Sequence, residues 1–353
     1  MTPQEQLCPK CGAEGKAGFI GIHSRKEKRY RCRLCGGTFS ETTATPFYGL
    51  KKSPEEFERV LALLAHGCPV QAIVVAFELD ERTVWSWIRK AGTHCQRVHE
   101  AEIEQGQLDL GHIQADELKI NTFMGIVWLG MVIMVQTRLW LGGCLEVSRG
   151  KKLLSRMLKR AARAGRGGDL LVAVDGFNVY PVIIPQIFTQ TWNWLQAGWQ
   201  GWTQVGIVVT MKQKGNKRGA IHQDIRQGEP AFIRRMIRQS QGSGWINTAY
   251  IERLNATFRA RISSLARRGR ALVRRPEHLE AWMWVVGCVY NWCTEHDSLK
   301  IACPVSPRKR RWLRRTPAIA AGLTDHRWSI AELLWWKYPT SRVLYNRILR
   351  AEA

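Results

Sequence analysis

Apolar and polar positions follow two different periods along this chain, and the switches between them mark its parts. Ser53-Pro54-Glu55-Glu56 reads as an N-cap, a proline at the first helical position and acids in the first turn, and opens a helix over 57–66. Gly67-Cys68-Pro69 breaks it. Pro69 starts a second short helix (PVQAIVVAF), Glu78-Leu79-Asp80 forms a turn, and a third helix over Glu81–Lys90 is closed by Gly92. After a polar spacer at 100–107 the period drops to two. His112–Ile120, Gly125–Gln136 and Leu139–Val147 predict three successive strands in an antiparallel meander. Lys151–Ala164 is an amphipathic basic helix. Asp169–Val174 (DLLVAV) is apolar almost throughout, as a strand buried on both faces should be. A further hairpin over 205–227, turning at 214–217, and helices over 229–239, 247–265 and 276–291 complete the pattern.

Two classes of function fall away on this pattern. The longest apolar run, Gly125–Val135, is shorter than the roughly 18 residues a membrane span needs. The first ten residues, MTPQEQLCPK, carry no signal pattern. The expectation is a soluble, cytoplasmic protein with reduced thiols, so paired cysteines point to metal before disulfide. Cys8-Pro-Lys-Cys11-Gly and Cys32-Arg-Leu-Cys35-Gly are two such pairs, each followed by a glycine free to turn at positive φ. Four thiolates from two CxxC turns suit tetrahedral zinc and leave no open position, so Zn2+ here is expected to be structural. Phe47–Lys52 reads as a hinge to the next unit.

Charge changes the picture most. Lys and Arg number 53 against 29 Asp and Glu, a formal net charge of +24, which fits a polyanionic partner. Two short helices, a tight turn and a third helix with Arg82, Thr83, Ser86, Arg89 and Lys90 on its outer side make a helix-turn-helix pattern for double-stranded DNA. The stretch Tyr250–Arg275 holds eight Arg and one acid. Arg253, Arg259, Arg261, Arg267 and Arg268 in it are expected along a DNA backbone. Trp192, Trp194, Trp199 and Trp202 cluster further upstream, as core or interface anchors more readily than as base-stacking platforms.

The order of three strands, a helix and a strand is that of a ribonuclease H-like α/β fold, and it directs attention to three acids. Asp116 lies inside the first strand, Asp175 directly follows the buried fourth strand, and Glu252 opens a late helix. In that helix Ile251, Leu254, Phe258, Ile262 and Leu265 form the buried stripe, and Glu252, Asn255 and Arg259 an adjacent one. Carboxylates brought together are unfavourable unless cations sit among them, and oxygen-only ligands suit Mg2+ or Mn2+. Two such ions would activate a water or 3′-hydroxyl and stabilise the leaving oxygen of a phosphodiester.

The chain resembles bacterial insertion-sequence transposases of the DDE type, in the group with an N-terminal zinc ribbon and helix-turn-helix related to the insertion-sequence-one family. CPKCG, YRCRLCGGTFS, FELDERTV, DLGHIQADEL, AVDG, INTAYIERLNATFRA and YNWCTEHDSL carry the resemblance. It implies a zinc ribbon at 1–48 held by Cys8, Cys11, Cys32 and Cys35, and a helix-turn-helix domain at 52–100. It implies a ribonuclease H-like catalytic domain at 108–300 with Asp116, Asp175 and Glu252 as catalytic, metal-binding acids, then a basic C-terminal extension at 301–353. The implied activity is binding of the element's terminal inverted repeats, strand cleavage and strand transfer into target DNA, by a homodimer or larger assembly associated with the bacterial nucleoid. A non-catalytic DNA-binding regulator and a structure-specific nuclease are the alternatives.

Overall fold

The computed structural model describes Thr2, Gln4 and residues 6–188, 201–212, 221–241, 245–266, 273–303 and 312–337. The hairpin turn at 214–217, Trp192, Trp194, Trp199, Arg267 and Arg268 lie outside them.

The N-terminal unit is a three-stranded antiparallel sheet of β1 (Ile20–Ser24), β2 (Arg29–Cys32) and β3 (Thr38–Ser40). Its apolar cluster contains little besides Ile20, Tyr30 and Phe39 with Cys8, Ala13 and Cys32. Burial that small cannot fold a unit of this size alone.

Three helices follow: α1 (Pro54–Ala65), α2 (Val70–Phe77) and α3 (Glu81–Glu102). Ser53 caps α1 by accepting from the Glu56 N–H, and Asp80 caps α3 by accepting from the Arg82 N–H. Two expectations fail here. Gly92 does not end α3, which runs ten residues further to Glu102. It is a glycine because a Cβ there would lie 2.5 Å from the carbonyl oxygen of Ala281. Nor is the segment before α1 a free hinge: Phe47 is buried against Phe57 and Trp335.

The centre of the molecule is a mixed six-stranded sheet in the order β6-β5-β4-β7-β8-β9. β4 (Gly111–Thr122), β5 (Gly125–Met134) and β6 (Trp140–Glu146) form the expected antiparallel meander. α4 (Lys151–Ala164) leads to β7 (Gly168–Val174), which lies parallel to β4 on one side and to β8 (Trp202–Lys212) on the other. α5 (Tyr180–Phe188) precedes β8, and β9 (Ile221–Gln227) returns antiparallel to it. α6 (Pro230–Gln241), α7 (Ala249–Arg261) and α8 (Pro276–Cys288) follow, the last continuing as a π-turn to Cys293.

The two faces of β7 are buried by different helices. Leu171 and Ala173 meet Phe232, Ile233 and Met236 of α6, while Leu170, Val172 and Val174 join the main core with α4 and α5. That double burial is why this strand reads as a continuous apolar run. The same main core takes in Phe57, Val60 and Leu61 of α1, Trp87 and Ile88 of α3, and the buried tryptophans of α8.

β10 (His296–Ala302) and β11 (Trp312–Arg315) pair, then α9 (Pro317–Ala320) and α10 (Ile330–Trp335) close the described chain. Residues 312–337, within the expected basic C-terminal extension, pack onto the rest of the molecule. Trp328 stacks on Trp292 at 4.1 Å, Trp335 packs on Phe47 at 4.5 Å, and His94 of α3 bonds the Leu333 carbonyl oxygen at 2.9 Å. Apolar residues among the charges pull this segment onto the core. Among the described residues, no helix is long and apolar enough to cross a membrane.

Candidate functional site

Register brings the first two acids together. β4 and β7 pair from Gly111↔Leu170 to Gln114↔Ala173. Continued two residues, the same register sets Asp175 opposite Asp116, on the sheet face that α6 and α7 cover. β7 ends at Val174, whereas β4 runs on to Thr122. Beyond Gln114 the β7-side edge of β4 is therefore open, and side chains from both faces of the sheet reach the gap. Glu117, which strand alternation sends to the opposite face, comes into it. One carboxylate oxygen each of Asp116, Glu117 and Asp175 lie within 4.8 Å of one another.

The third acid of the group was expected to be Glu252. Its carboxylate stays outside that group and accepts a hydrogen bond from the Thr248 hydroxyl at 3.1 Å. The way α7 docks explains this. Gln114, buried on β4, accepts the backbone N–H of Ile251 at 3.0 Å and donates to the Asn247 carbonyl. It thus satisfies a first-turn donor of α7 that Thr248, at the N-cap, leaves unpaired. One turn on, Asn255 donates to Asp116 Oδ2 at 2.7 Å. Asn255, not Glu252, is therefore the α7 side chain laid against the acids. Glu252 lies one turn earlier on the same stripe, near enough for its charge to act on Asp116.

Burial dominates the electrostatics. It pushes the Asp116 carboxyl up to about 6, with the charges of Asp175 and Glu252 adding and the Glu117 backbone N–H opposing. Burial likewise pushes Glu117 up to about 7, against the neighbouring Tyr180 hydroxyl and Arg149. Arg149, in the loop between β6 and α4, donates to Glu117 at 2.8 Å and to Asp175 at 2.9 Å. Its guanidinium lies 4.1 Å from the centre of the Phe177 ring. Asp175 is further held by the Phe177 N–H, bonded to Oδ1 at 3.0 Å.

Sequence reasoning missed Glu117, Arg149 and Gln114. Gln114 had a signal, since it shares the parity of Asp116 on the strand and no apolar core wants an amide. Glu117 had half a signal, as an acid on the face that the flanking Ala115 and Ile113 bury. Arg149, one cation among many, had none.

The second constellation lies in the N-terminal unit. Cys8, Cys11, Cys32 and Cys35 each offer a sulfur within 4.8 Å of the others. Cys8 to Cys35 and Cys11 to Cys32 are both 3.6 Å apart. A tetrahedron with metal–sulfur bonds of about 2.3 Å has edges of about 3.8 Å, so these four sulfurs fit one zinc ion. Gly12 and Gly36 turn at φ 75° and 69°, as the knuckles require. The Gly37 N–H beside Cys35 is the main reason its thiol is pulled down to about 7, toward the thiolate a metal takes.

The basic residues are placed unevenly. Arg82 and Arg89 are exposed on α3, and Arg82 sits 3.6 Å from Asp80. Thr83, Ser86 and Lys90 are half-buried, Lys90 donating to the Tyr48 carbonyl at 2.7 Å. Arg253 is exposed and Arg259 half-buried. Arg261 is turned inward, 3.3 Å from the Thr294 hydroxyl, with burial lowering its pKa.

No protein-family model matches this chain, and no curated protein matches it. What remains is the geometry: an acid cluster at a sheet edge able to hold a divalent cation, and a four-cysteine cluster able to hold zinc.

Proposed function

We propose that the chain is a DNA transposase of the DDE type, cutting and joining phosphodiesters with divalent ions held by Asp116 and Asp175. The observation that carries the reading is the meeting of these two carboxylates on adjacent parallel strands, Asp116 midway along β4 and Asp175 just past the end of β7, beside a helix that carries Arg253, Arg259 and Arg261. The sheet order supports it: three antiparallel strands, then two parallel ones reached through a helix, is the strand plan of a ribonuclease H-like domain. The three N-terminal helices, with Arg82 and Arg89 exposed on the third, support a helix-turn-helix. The net charge of +24 supports a nucleic-acid partner.

In this reading Mg2+ or Mn2+, when bound, polarises the phosphoryl oxygens and lowers the pKa of the attacking hydroxyl or water. The chain's own part is placement. Asp116 and Asp175 offer the ligand oxygens, Asn255 fixes the Asp116 rotamer, and Gln114 locks α7 to β4. Glu252, one turn from Asn255, is the acid that substrate or ion binding would draw in, and Glu117 sits within the cluster already. Tyr180 and Phe177 close the floor on the α5 side.

One observation favours a second reading, a DNA-binding protein without cleavage. Arg149 already bonds both Glu117 and Asp175, so part of the cluster is charge-compensated with no ion. A magnesium-dependent cleavage assay on DNA carrying the ends of the element separates the two. Asp116→Ala should abolish cleavage and strand joining, by about three orders of magnitude or more, while leaving end binding within about twofold. A variant that still joins strands would remove Asp116 from the chemistry, and binding by the parent without cleavage would support the second reading.

A further inference from the structure

On the side of α7 turned away from the acids there is a cavity. Asn255 faces Asp116, while Arg253 and Thr257, each about 200° round the helix from it, line this cavity of about 140 Å³. Arg138, Tyr250, Tyr290 and His296 share its wall with Ile133, Leu254 and Ser298, and exposed Asp297 also borders it.

Its chemistry is that of an anion site. Arg138 Nη1 and His296 Nε2 are buried and have no hydrogen-bond partner, and Arg261 Nη1 is in the same condition close behind Tyr290 and His296. Leaving such groups unpaired in a folded interior costs about 1–3 kcal/mol each. None of Arg138, Arg253 and Arg261 is in an ion pair among the described residues. Arg149, Arg156, Arg160 and Arg163 all are. The Arg138 guanidinium is also held in a set plane, 3.7 Å from the centre of the Tyr250 ring. It reaches there from the β5–β6 turn, where its own φ is 60°, a conformation uncommon outside glycine. A fork so held, with the Arg253 guanidinium in the same wall, matches a tetrahedral oxyanion.

Size narrows the ligand. One water needs about 10–15 Å³ of such space and drug-sized molecules fill about 300–1,000 Å³. The cavity therefore takes a group of several heavy atoms, not a whole nucleotide. We propose that it is a phosphate-binding subsite that seats one backbone phosphate of a nucleic-acid strand. The strand is favoured over a free phosphate because exposed Arg253 continues the cationic surface outward from the cavity and the chain as a whole carries +24.

The test uses the full chain, without divalent ions, and a labelled DNA duplex titrated by fluorescence anisotropy at several salt concentrations. Arg138→Gln and Arg253→Gln should each weaken binding about three- to tenfold and flatten the log–log salt slope by about 0.9, the signature of one lost phosphate contact. The assay reads binding without divalent ions and no cleavage, so this site and the catalytic reading stand or fall separately. Should Arg138→Gln fail to melt cooperatively, the exposed Arg253 carries the test. Parent affinity and slope in the arginine variants would overturn the proposal. A parallel calorimetric titration with inorganic phosphate separates the sources. Tight phosphate binding lost in Arg138→Gln, with DNA binding unmoved, would overturn the assignment to a strand.

Discussion

Between Glu117 and Asp175 the guanidinium of Arg149 bonds one oxygen of each and supplies positive charge where a divalent ion would supply its own. The two compete for the same pair of carboxylates. Replacing Arg149 by Gln should tighten Mn2+ binding by about tenfold, read by electron paramagnetic resonance of free Mn2+, because a competitor is removed. A loss of Mn2+ affinity would mean instead that Arg149 organises the acids for the ion. At this scale Asp116 and Asp175 were legible: an acid inside an otherwise apolar strand and an acid at the end of a buried one are conspicuous. Glu117 was not, because strand alternation assigns it to the wrong face. Only the early end of β7 opens the edge that lets it join.

Single elements show how packing overrides local signals. Gly92 sits where a helix stop is expected, yet α3 continues because α8 crosses it at backbone contact. A Cβ on Gly92 would meet the Ala281 carbonyl oxygen at 2.5 Å and its Cα at 2.6 Å. Gly92→Ala gains about 1 kcal/mol in helix propensity but forces two backbones apart. The net result should be a destabilisation of about 1–3 kcal/mol, measured by urea unfolding; an unchanged midpoint would show that the crossing is loose. Helix α7 makes the complementary point. Its buried stripe, Ile251, Leu254 and Phe258, is as the periodicity predicts, but the helix stops at Arg261, and Ile262 and Leu265 are buried beyond its end. Its rotation about that stripe is set by Gln114 and Asn255, and this decides that an amide, not Glu252, touches Asp116.

Across the whole molecule, two kinds of group set the conditions under which it holds together. The small apolar cluster of the N-terminal sheet leaves its folding to the four cysteines. Cys32→Ser should lower bound zinc from about one per chain to near none by atomic absorption, and expose β1–β3 to protease while the central sheet stays protected. Retained protection would show that the strands stand without metal. The second kind is histidine. Burial depresses His94, His99 and His296 to about 4 and His112 to about 3. Folded, they stay neutral where the unfolded chain takes up protons, so their contribution to stability is complete above about pH 6.5. It falls away as the pH drops toward 4. Asp116 and Glu117, raised to about 6 and about 7, act in the opposite sense over part of that range, but are outnumbered. Thermal midpoints should therefore fall between pH 7 and pH 5, and His94→Gln should flatten the decline. A flat profile for the parent would contradict this account.

Periodicity, caps and turn residues missed α5, α9 and α10 but sufficed to place α1, α2, the start of α3, α4, α6, α7 and α8, the strand meander, the paired cysteine knuckles and the excess of positive charge. All of these follow from local spacing and composition, which any stretch of chain carries within itself. The tertiary structure alone decided which acids meet, where α3 ends, that residues 312–337 pack on the core, and that Arg138 and His296 share a cavity. Those outcomes depend on register between strands far apart in sequence and on how closely two backbones can approach. Neither quantity is carried by any one segment until the others are folded against it.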